Sequence, residues 1–162
     1  MAGCVITCGV YGFTPEAFAA AVRAAQPDVF VDIRRRRGVR GSEYAFANSQ
    51  RLQDLLAGYD IPYVHRIDLA APETAIKREG ELDRQRGIAR HDREALSPEF
   101  IAEFTSTVLH EFDADAFITS LGDSVQRPLL FCVERTAAAC HRGLVAEAIA
   151  DQPGWERLDL QP

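Results

Sequence analysis

Two short runs, Val29-Phe30-Val31-Asp32-Ile33 and Leu129-Leu130-Phe131-Cys132-Val133, are almost wholly apolar at consecutive positions rather than at alternate ones. A strand with one face in water alternates; an unbroken apolar run has both faces covered, as in a parallel sheet between helices. Helix starts precede and separate these runs. Thr14-Pro15-Glu16 and Ser97-Pro98-Glu99 each offer a hydroxyl N-cap, a proline at the first helical position and an acid in the first turn. Phe18, Ala21, Val22 and Ala25 follow the first start at helical spacing, and Ile101, Phe104, Val108 and Phe112 follow the second. Residues 4–9 predict an opening strand. Asn48 or Ser49 starts a helix with Leu52, Leu55 and Leu56 on one stripe and Gly58 past its end. Residues 61–67 predict a short strand that Pro62 confines to a sheet edge or to its own first residues. A helix over 138–150 and a closing strand over 156–160 complete the pattern. The alternation predicts a single α/β domain over residues 1–162, three layers deep, with a mostly parallel sheet of about five strands and helices on both faces.

A chain of 162 residues is long enough to bury a core as one domain without staples. Its net charge of −6 argues against general duplex binding, which wants a basic face. No apolar run approaches the ~18 residues of a membrane span, so no membrane partner is expected. No basic stretch precedes an apolar one at the N-terminus, so a cytoplasmic location is expected. Cys4/Cys8 and Cys132/Cys140 fall on strands or strand ends, a pattern that suits reduced thiols. The positive charge is uneven. Arg34, Arg35, Arg36, Arg37 and Arg40 directly follow a buried strand. Lys77, Arg78, Arg84, Arg86, Arg90 and Arg93 are interleaved with acids in a segment, 73–96, poor in apolar residues. That segment reads as an exposed helical excursion or flap.

Chemistry collects after the last buried strand. Cys132, Glu134, Cys140, His141 and Arg142 bring two thiols, a carboxylate, an imidazole and a guanidinium to a strand-to-helix junction. In open α/β sheets ligands bind at that edge, and a helix N-terminus favours anions and thiolates. Cys140 is a candidate nucleophile and His141 or Glu134 a candidate acid/base. A cap paired with Glu134 explains the same trio structurally. Asp32 and Arg34 end an earlier strand. A buried acid must be paired, so Asp32 orients a cation or forms a structural ion pair. Arg34 and Arg142 are candidate anion ligands. Ser42, in a loop with Gly38 and Gly41, and Tyr44 are candidate substrate contacts, though the loop lacks the Gly-Lys-Ser/Thr of a P-loop. Cys132, Glu134, Cys140 and His141 also form an alternative metal set, without the two-residue cysteine spacing of common zinc motifs.

The strand-glycine opening Ile6-Thr7-Cys8-Gly9-Val10-Tyr11, the strand end Val31-Asp32-Ile33-Arg34, the segment Ile61-Pro62-Tyr63-Val64-His65, and then Cys132-Val133-Glu134 and Cys140-His141-Arg142 occur in this order. In this the chain resembles the bacterial and archaeal family called domain of unknown function 488. The resemblance covers the chain from Ile6 to its last strand, and the Cys-x-Glu followed by Cys-His-Arg is its most specific part. Leu69-Ala70-Ala71-Pro72 fits a variant of the same family. The resemblance implies a compact α/β domain and suggests Asp32, Arg34, Cys132, Glu134, Cys140, His141 and Arg142 as site residues. Many members carry a proline and a serine soon after Asp-x-Arg; here Arg35-Arg36-Arg37-Gly38 intervenes and Ser42 comes later.

These readings converge on an enzyme, a hydrolase or group transferase, for a small anionic substrate that is nucleotide-like or phosphorylated. Redox chemistry is disfavoured because no Gly-x-Gly-x-x-Gly turn exists. No cofactor is expected beyond the alternative metal ion. The rival reading is a nucleotide or nucleic-acid binding module built on the arginine loop and Tyr44.

Overall fold

The structure is a computed structural model and describes residues 2–162. Among these, five strands form one all-parallel sheet: β1 (Gly3–Cys8), β2 (Val29–Asp32), β3 (Tyr63–His65), β4 (Pro128–Phe131) and β5 (Trp155–Asp159), in the order β3-β2-β4-β1-β5. Six α-helices complete the three-layer α/β domain: α1 (Pro15–Ala25), α2 (Ser49–Ala57), α3 (Glu73–Arg86), α4 (Pro98–Thr107), α5 (Ala114–Leu121) and α6 (His141–Ala150). Both predicted hydroxyl caps form. Thr14 Oγ1 accepts from the Ala17 N–H and Ser97 Oγ from that of Phe100, each at 3.1 Å. The strand preceded by Pro62 is an edge strand and the last strand is the other edge, while the two unbroken apolar runs lie in the interior. Among the described residues no helix is long and apolar enough to cross a membrane.

Register decides what each layer receives. Phe30 pairs with Leu129 and Asp32 with Phe131, so these four side chains share one face of the sheet. On that face Phe131 packs 5.7 Å from the Phe18 ring of α1 and 5.0 Å from Phe30. Phe46, from a 3₁₀ turn over Ser42–Ala47, adds a ring 5.0 Å from Phe18. Cys132, one residue beyond Phe131, turns to the opposite face. There it meets α6, with Phe104 of α4 lying 5.4 Å from the His141 ring.

The helix expected to carry Val108 and Phe112 ends at Thr107, the strand ends shift by one or two residues, and two further differences bear on the site. The helix expected from residue 138 begins at His141. A 3₁₀ turn, Ala137–Ala139, precedes it, and Cys140 adopts an extended conformation as its N-cap (φ −141°, ψ 143°). Gly143 allows this step, because a Cβ there would lie 2.3 Å from the Ala137 carbonyl oxygen. The segment 73–96 is helical as far as Arg86, but it is not a free excursion. Glu79 and Asp83 are buried on its inner side. Glu79 Oε1 accepts from the Ser97 N–H at 2.8 Å, and Asp83 Oδ2 accepts from Arg93 Nε at 3.1 Å. Charged residues are buried here because each acid has a donor fixed on the following loop.

Phe131 joins the two central strands to α1. Phe131→Ala should lower unfolding free energy by about 3–5 kcal/mol, the usual cost of emptying an aromatic core site. Urea titration would show a lowered midpoint at an unchanged slope.

Candidate functional site

The carboxyl ends of β2 and β4 lie side by side, so Asp32, Arg34, Cys132 and Glu134 all reach one edge of the sheet. They do not form one cluster. Asp32 shares the Phe131 face. Its Oδ1 accepts from Arg34 Nε at 2.9 Å and its Oδ2 from Arg34 Nη2 at 2.8 Å. Tyr63 Oη donates to Oδ2 at 2.7 Å, and burial followed by this bond raises the Tyr63 pKa. Arg34 Nη1 donates to the Ala47 carbonyl at 2.8 Å, and the guanidinium lies 4.7 Å over the Phe131 ring. Both partners are fully enclosed. This pair ties β2 to the 3₁₀ turn and leaves Arg34 engaged on every side the structure shows.

The opposite face carries a buried group of Cys132, Cys140 and His141, whose ligand atoms all lie within 4.8 Å of one another. Glu134, expected as a fourth member, is not in it, because its carboxylate turns to arginines instead. His141 Nδ1 lies 3.9 Å from Cys132 Sγ and 4.0 Å from Cys140 Sγ. His141 Nε2 lies 3.2 Å from the Ile33 carbonyl oxygen. Burial alone would raise the Cys140 pKa; the Cys132 thiol, Arg142 and His141 outweigh it and hold Cys140 well below the ordinary thiol range. Cys132 moves the opposite way, chiefly through the neighbouring Cys140 thiol and its own burial. Cys8 belongs to the other face, in register with Phe131, and burial pushes its pKa up to about 12.

Arg142 is 1% exposed and, among the described residues, makes no ion pair with a carboxylate. Its Nη1 donates to the Glu134 carbonyl at 2.7 Å and its Nη2 to that of Arg135 at 3.4 Å, while Nε has no partner. Gly9 makes room for this arrangement, since a Cβ there would lie 1.9 Å from the Glu134 carbonyl oxygen. Arg142 thus sits beneath the surface, holding the loop after β4 and placing positive charge beside the thiols.

The Glu134 carboxylate is 4% exposed. Arg90 Nε donates to Oε1 at 2.7 Å, and Arg93 Nη1 is 3.8 Å away. Oε2 is buried without a partner. Burial raises the Glu134 pKa against the opposing pull of Arg90. Arg90 is half-exposed (51%), so part of its guanidinium faces solvent. Tyr11, Tyr44 and His91 form an aromatic rim nearby, with ring centroids 5.0 Å apart for Tyr11–Tyr44 and 6.1 Å for Tyr11–His91. Burial raises the Tyr11 pKa, and the charges of Arg90 and Glu134 both act on it. Tyr44 is thus part of the rim, whereas Ser42 is exposed at the start of its 3₁₀ turn and makes no hydrogen bond to the cluster among the described residues.

Tyr11 and Ile33 lie inside segments that carry the family resemblance, and Arg90 and Arg93 inside the charged stretch, but none of the four is singled out by the sequence as a site residue. Arg90 and Arg93 do lie three apart, across a 3₁₀ turn over Arg90–Asp92, within the charged segment. Their spacing is the one signal that they face the same way.

Asp32→Asn leaves Arg34 charged and buried opposite a neutral amide. It should cost about 3–5 kcal/mol of stability, as for other broken buried pairs. Tyr63→Phe, which deletes one hydrogen bond to the same carboxylate, should cost only about 0.5–1.5 kcal/mol. Chemical denaturation of the two variants side by side checks that order.

No curated protein and no solved structure matches the chain. A family model does: Domain of unknown function DUF488, over residues 14–149. The match takes in the Asp32–Arg34 pair, the thiol–imidazole group, Glu134 and Arg142, and by it the chain belongs to the DUF488 family.

Proposed function

We propose that the chain is an enzyme that carries out hydrolysis or group transfer on a small anionic substrate, nucleotide-like or phosphorylated, at the carboxyl edge of the sheet. The observation that carries this reading is Glu134. One oxygen is clamped by a half-exposed arginine and the other is buried with no partner. A buried unsatisfied polar atom costs about 1–3 kcal/mol. Two of them, Glu134 Oε2 and Arg142 Nε, belong to one short segment of the fold. Such groups are kept where a reacting molecule completes their hydrogen bonds.

In this reading Arg90 anchors the anion through its solvent-facing edge, while Tyr11, Tyr44 and His91 wall the entrance. Glu134 moves the proton, with Oε2 as the free acceptor. Arg142 holds the Glu134 main chain in place and adds positive potential. Arg34 and Asp32 support the end of β2 from the far side of the sheet. In this reading Arg90 takes the anion-binding role for which Arg34 and Arg142 were candidates, because it is the half-exposed one, whereas Arg34 and Arg142 are each 1% exposed.

Titration with inorganic phosphate and with adenosine monophosphate, followed through arginine side-chain N–H and backbone amide resonances, tests the assignment. Shifts are expected at Arg90 and Tyr11. Arg90→Gln should weaken binding by about 10- to 100-fold, the worth of a charged hydrogen bond. Glu134→Gln should bind phosphate more tightly, since a neighbouring negative charge is gone. The same variant should lose at least about a hundredfold of any hydrolysis measured on a panel of phosphate esters and nucleotides. Shifts confined to Arg36, Arg37 and Arg40 would overturn the assignment in favour of a surface phosphate contact.

A further inference from the structure

We propose that Cys132 and Cys140 are a redox-sensitive pair: a small peroxide oxidises Cys140, and Cys132 closes the oxidised sulfur into a disulfide that a thiol reductant reopens. The pair stands apart from the anion site and consists of the two thiols to which the reading above gives no task. Proximity is the first ground. The two sulfurs lie within 4.8 Å of each other. A disulfide brings them to about 2.05 Å, and a change of χ1 rotamer moves a sulfur on that scale while the backbone stays in place. Cys132 follows the end of β4, and Cys140 is the extended N-cap of α6, so no preceding helical turn restricts either rotamer.

Access is the second ground. A cavity of about 350 Å³ lies between α4, α6 and β5, and Cys140 lines it together with Ile101, Ala138, Leu144 and Arg157. Ile101 and Ala138 are exposed, so the cavity opens to solvent. A water molecule takes up about 30 Å³, and hydrogen peroxide is little larger, so the cavity admits it with room to spare. Cys132 does not line this cavity. The two sulfurs therefore act in order: the oxidant meets Cys140 first, and Cys140 alone passes the oxidation to Cys132. Cys8 belongs to the opposite face of the sheet, in register with Phe131, and does not compete.

The surroundings agree with that order. Against its burial, the Cys132 thiol, Arg142 and His141 favour the thiolate of Cys140, the form that attacks a peroxide. In the first step the Cys140 sulfur bonds to one oxygen of hydrogen peroxide as the O–O bond breaks, which leaves a sulfenic acid and releases hydroxide. In the second step the Cys132 sulfur bonds to the Cys140 sulfur and the S–O bond breaks. The departing hydroxide takes the Cys132 proton and becomes water. Each sulfur gives up one electron and the peroxide gains both. Reduction returns through a mixed disulfide with an external thiol. The closed ring spans residues 132–140 and contains Glu134, whose carbonyl Arg142 holds at 2.7 Å from two residues past Cys140. A disulfide thus constrains the main chain that carries Glu134.

The test is peptide mapping of the whole chain after reduction, removal of the reductant, treatment with hydrogen peroxide and alkylation of the remaining thiols. Trypsin cleaves after Arg135, between the two cysteines, so the disulfide appears as two joined peptides. One Cys132–Cys140 link per chain is expected, with two of the four free thiols lost and both restored by dithiothreitol. Cys132→Ser should stop at a Cys140 sulfenic acid that dimedone traps. Cys140→Ser should slow thiol oxidation at pH 7 at least about tenfold, because an ordinary thiol is only a few per cent ionised there. Cys8→Ser should leave the link unchanged. Four free thiols after peroxide, or links that run to Cys4, to Cys8 or between chains, would overturn the pair. That result is read from the wild-type protein, so a variant that fails to fold does not obscure it. The phosphate titration at Arg90 is made on reduced protein, so failure of the anion site and failure of the thiol pair are told apart.

Discussion

One peptide group, the one joining Ile33 to Arg34, links the two polar clusters of this fold. Its N–H donates to Asp32 Oδ1 at 3.1 Å, and its carbonyl oxygen lies 3.2 Å from His141 Nε2. A carboxylate on one face of the sheet therefore sets the plane of a peptide whose oxygen orients an imidazole on the other. Polarisation adds to this, because a peptide whose N–H binds an anion has a more strongly accepting carbonyl. Asp32 acts on the thiol–imidazole group through this bond and not by contact. Arg34, Tyr63 and the Phe131 ring hold Asp32 in turn, so the β2 end is rigid where rigidity is needed.

The same edge is held from the other side by Arg142. A buried guanidinium without a carboxylate is expensive unless carbonyls and a nearby anion take up its charge. Here the Glu134 and Arg135 carbonyls bind it, and its field favours the Cys140 thiolate. The arrangement depends on the approach of Gly9 to the Glu134 carbonyl. Only a residue without a Cβ lets the ends of β1 and β4 come so close. The glycine at the end of the first strand thus shapes the site as much as the residues that carry chemistry.

Much of this was legible in the sequence, and for definite reasons. Unbroken apolar runs marked the interior strands, since both their faces are covered by helices. Pro62 marked an edge, since it cannot donate to a ladder. Thr14 and Ser97 marked helix starts that form as read. The chemistry-bearing residues at 132–142 were visible because polar groups at the end of a buried strand need a reason to be there. Their partition between two faces was not visible. It follows from pairing Asp32 with Phe131 and not with Cys132, a one-residue matter of register that no local pattern encodes. Arg90 and Arg93 were hidden differently. In a segment that is mostly charge, the burial of Glu79 and Asp83 depends on donors supplied by the next loop, and hydrophobic periodicity is blind to such pairing.

That pairing also gives the charged segment its role. Asp83 holds Arg93, Glu79 holds the Ser97 cap of α4, and between them the turn Arg90–Asp92 is suspended over Glu134. The two anchors are buried ion or hydrogen-bonded pairs, whereas Arg90 itself is half in solvent. Of these groups only the Arg90 guanidinium reaches well into solvent, which is what the proposed anion site requires. An apolar anchor would have buried the segment as firmly. It would not have left, beside a carboxylate with one unpartnered oxygen, a cation paired to the other oxygen and half in solvent.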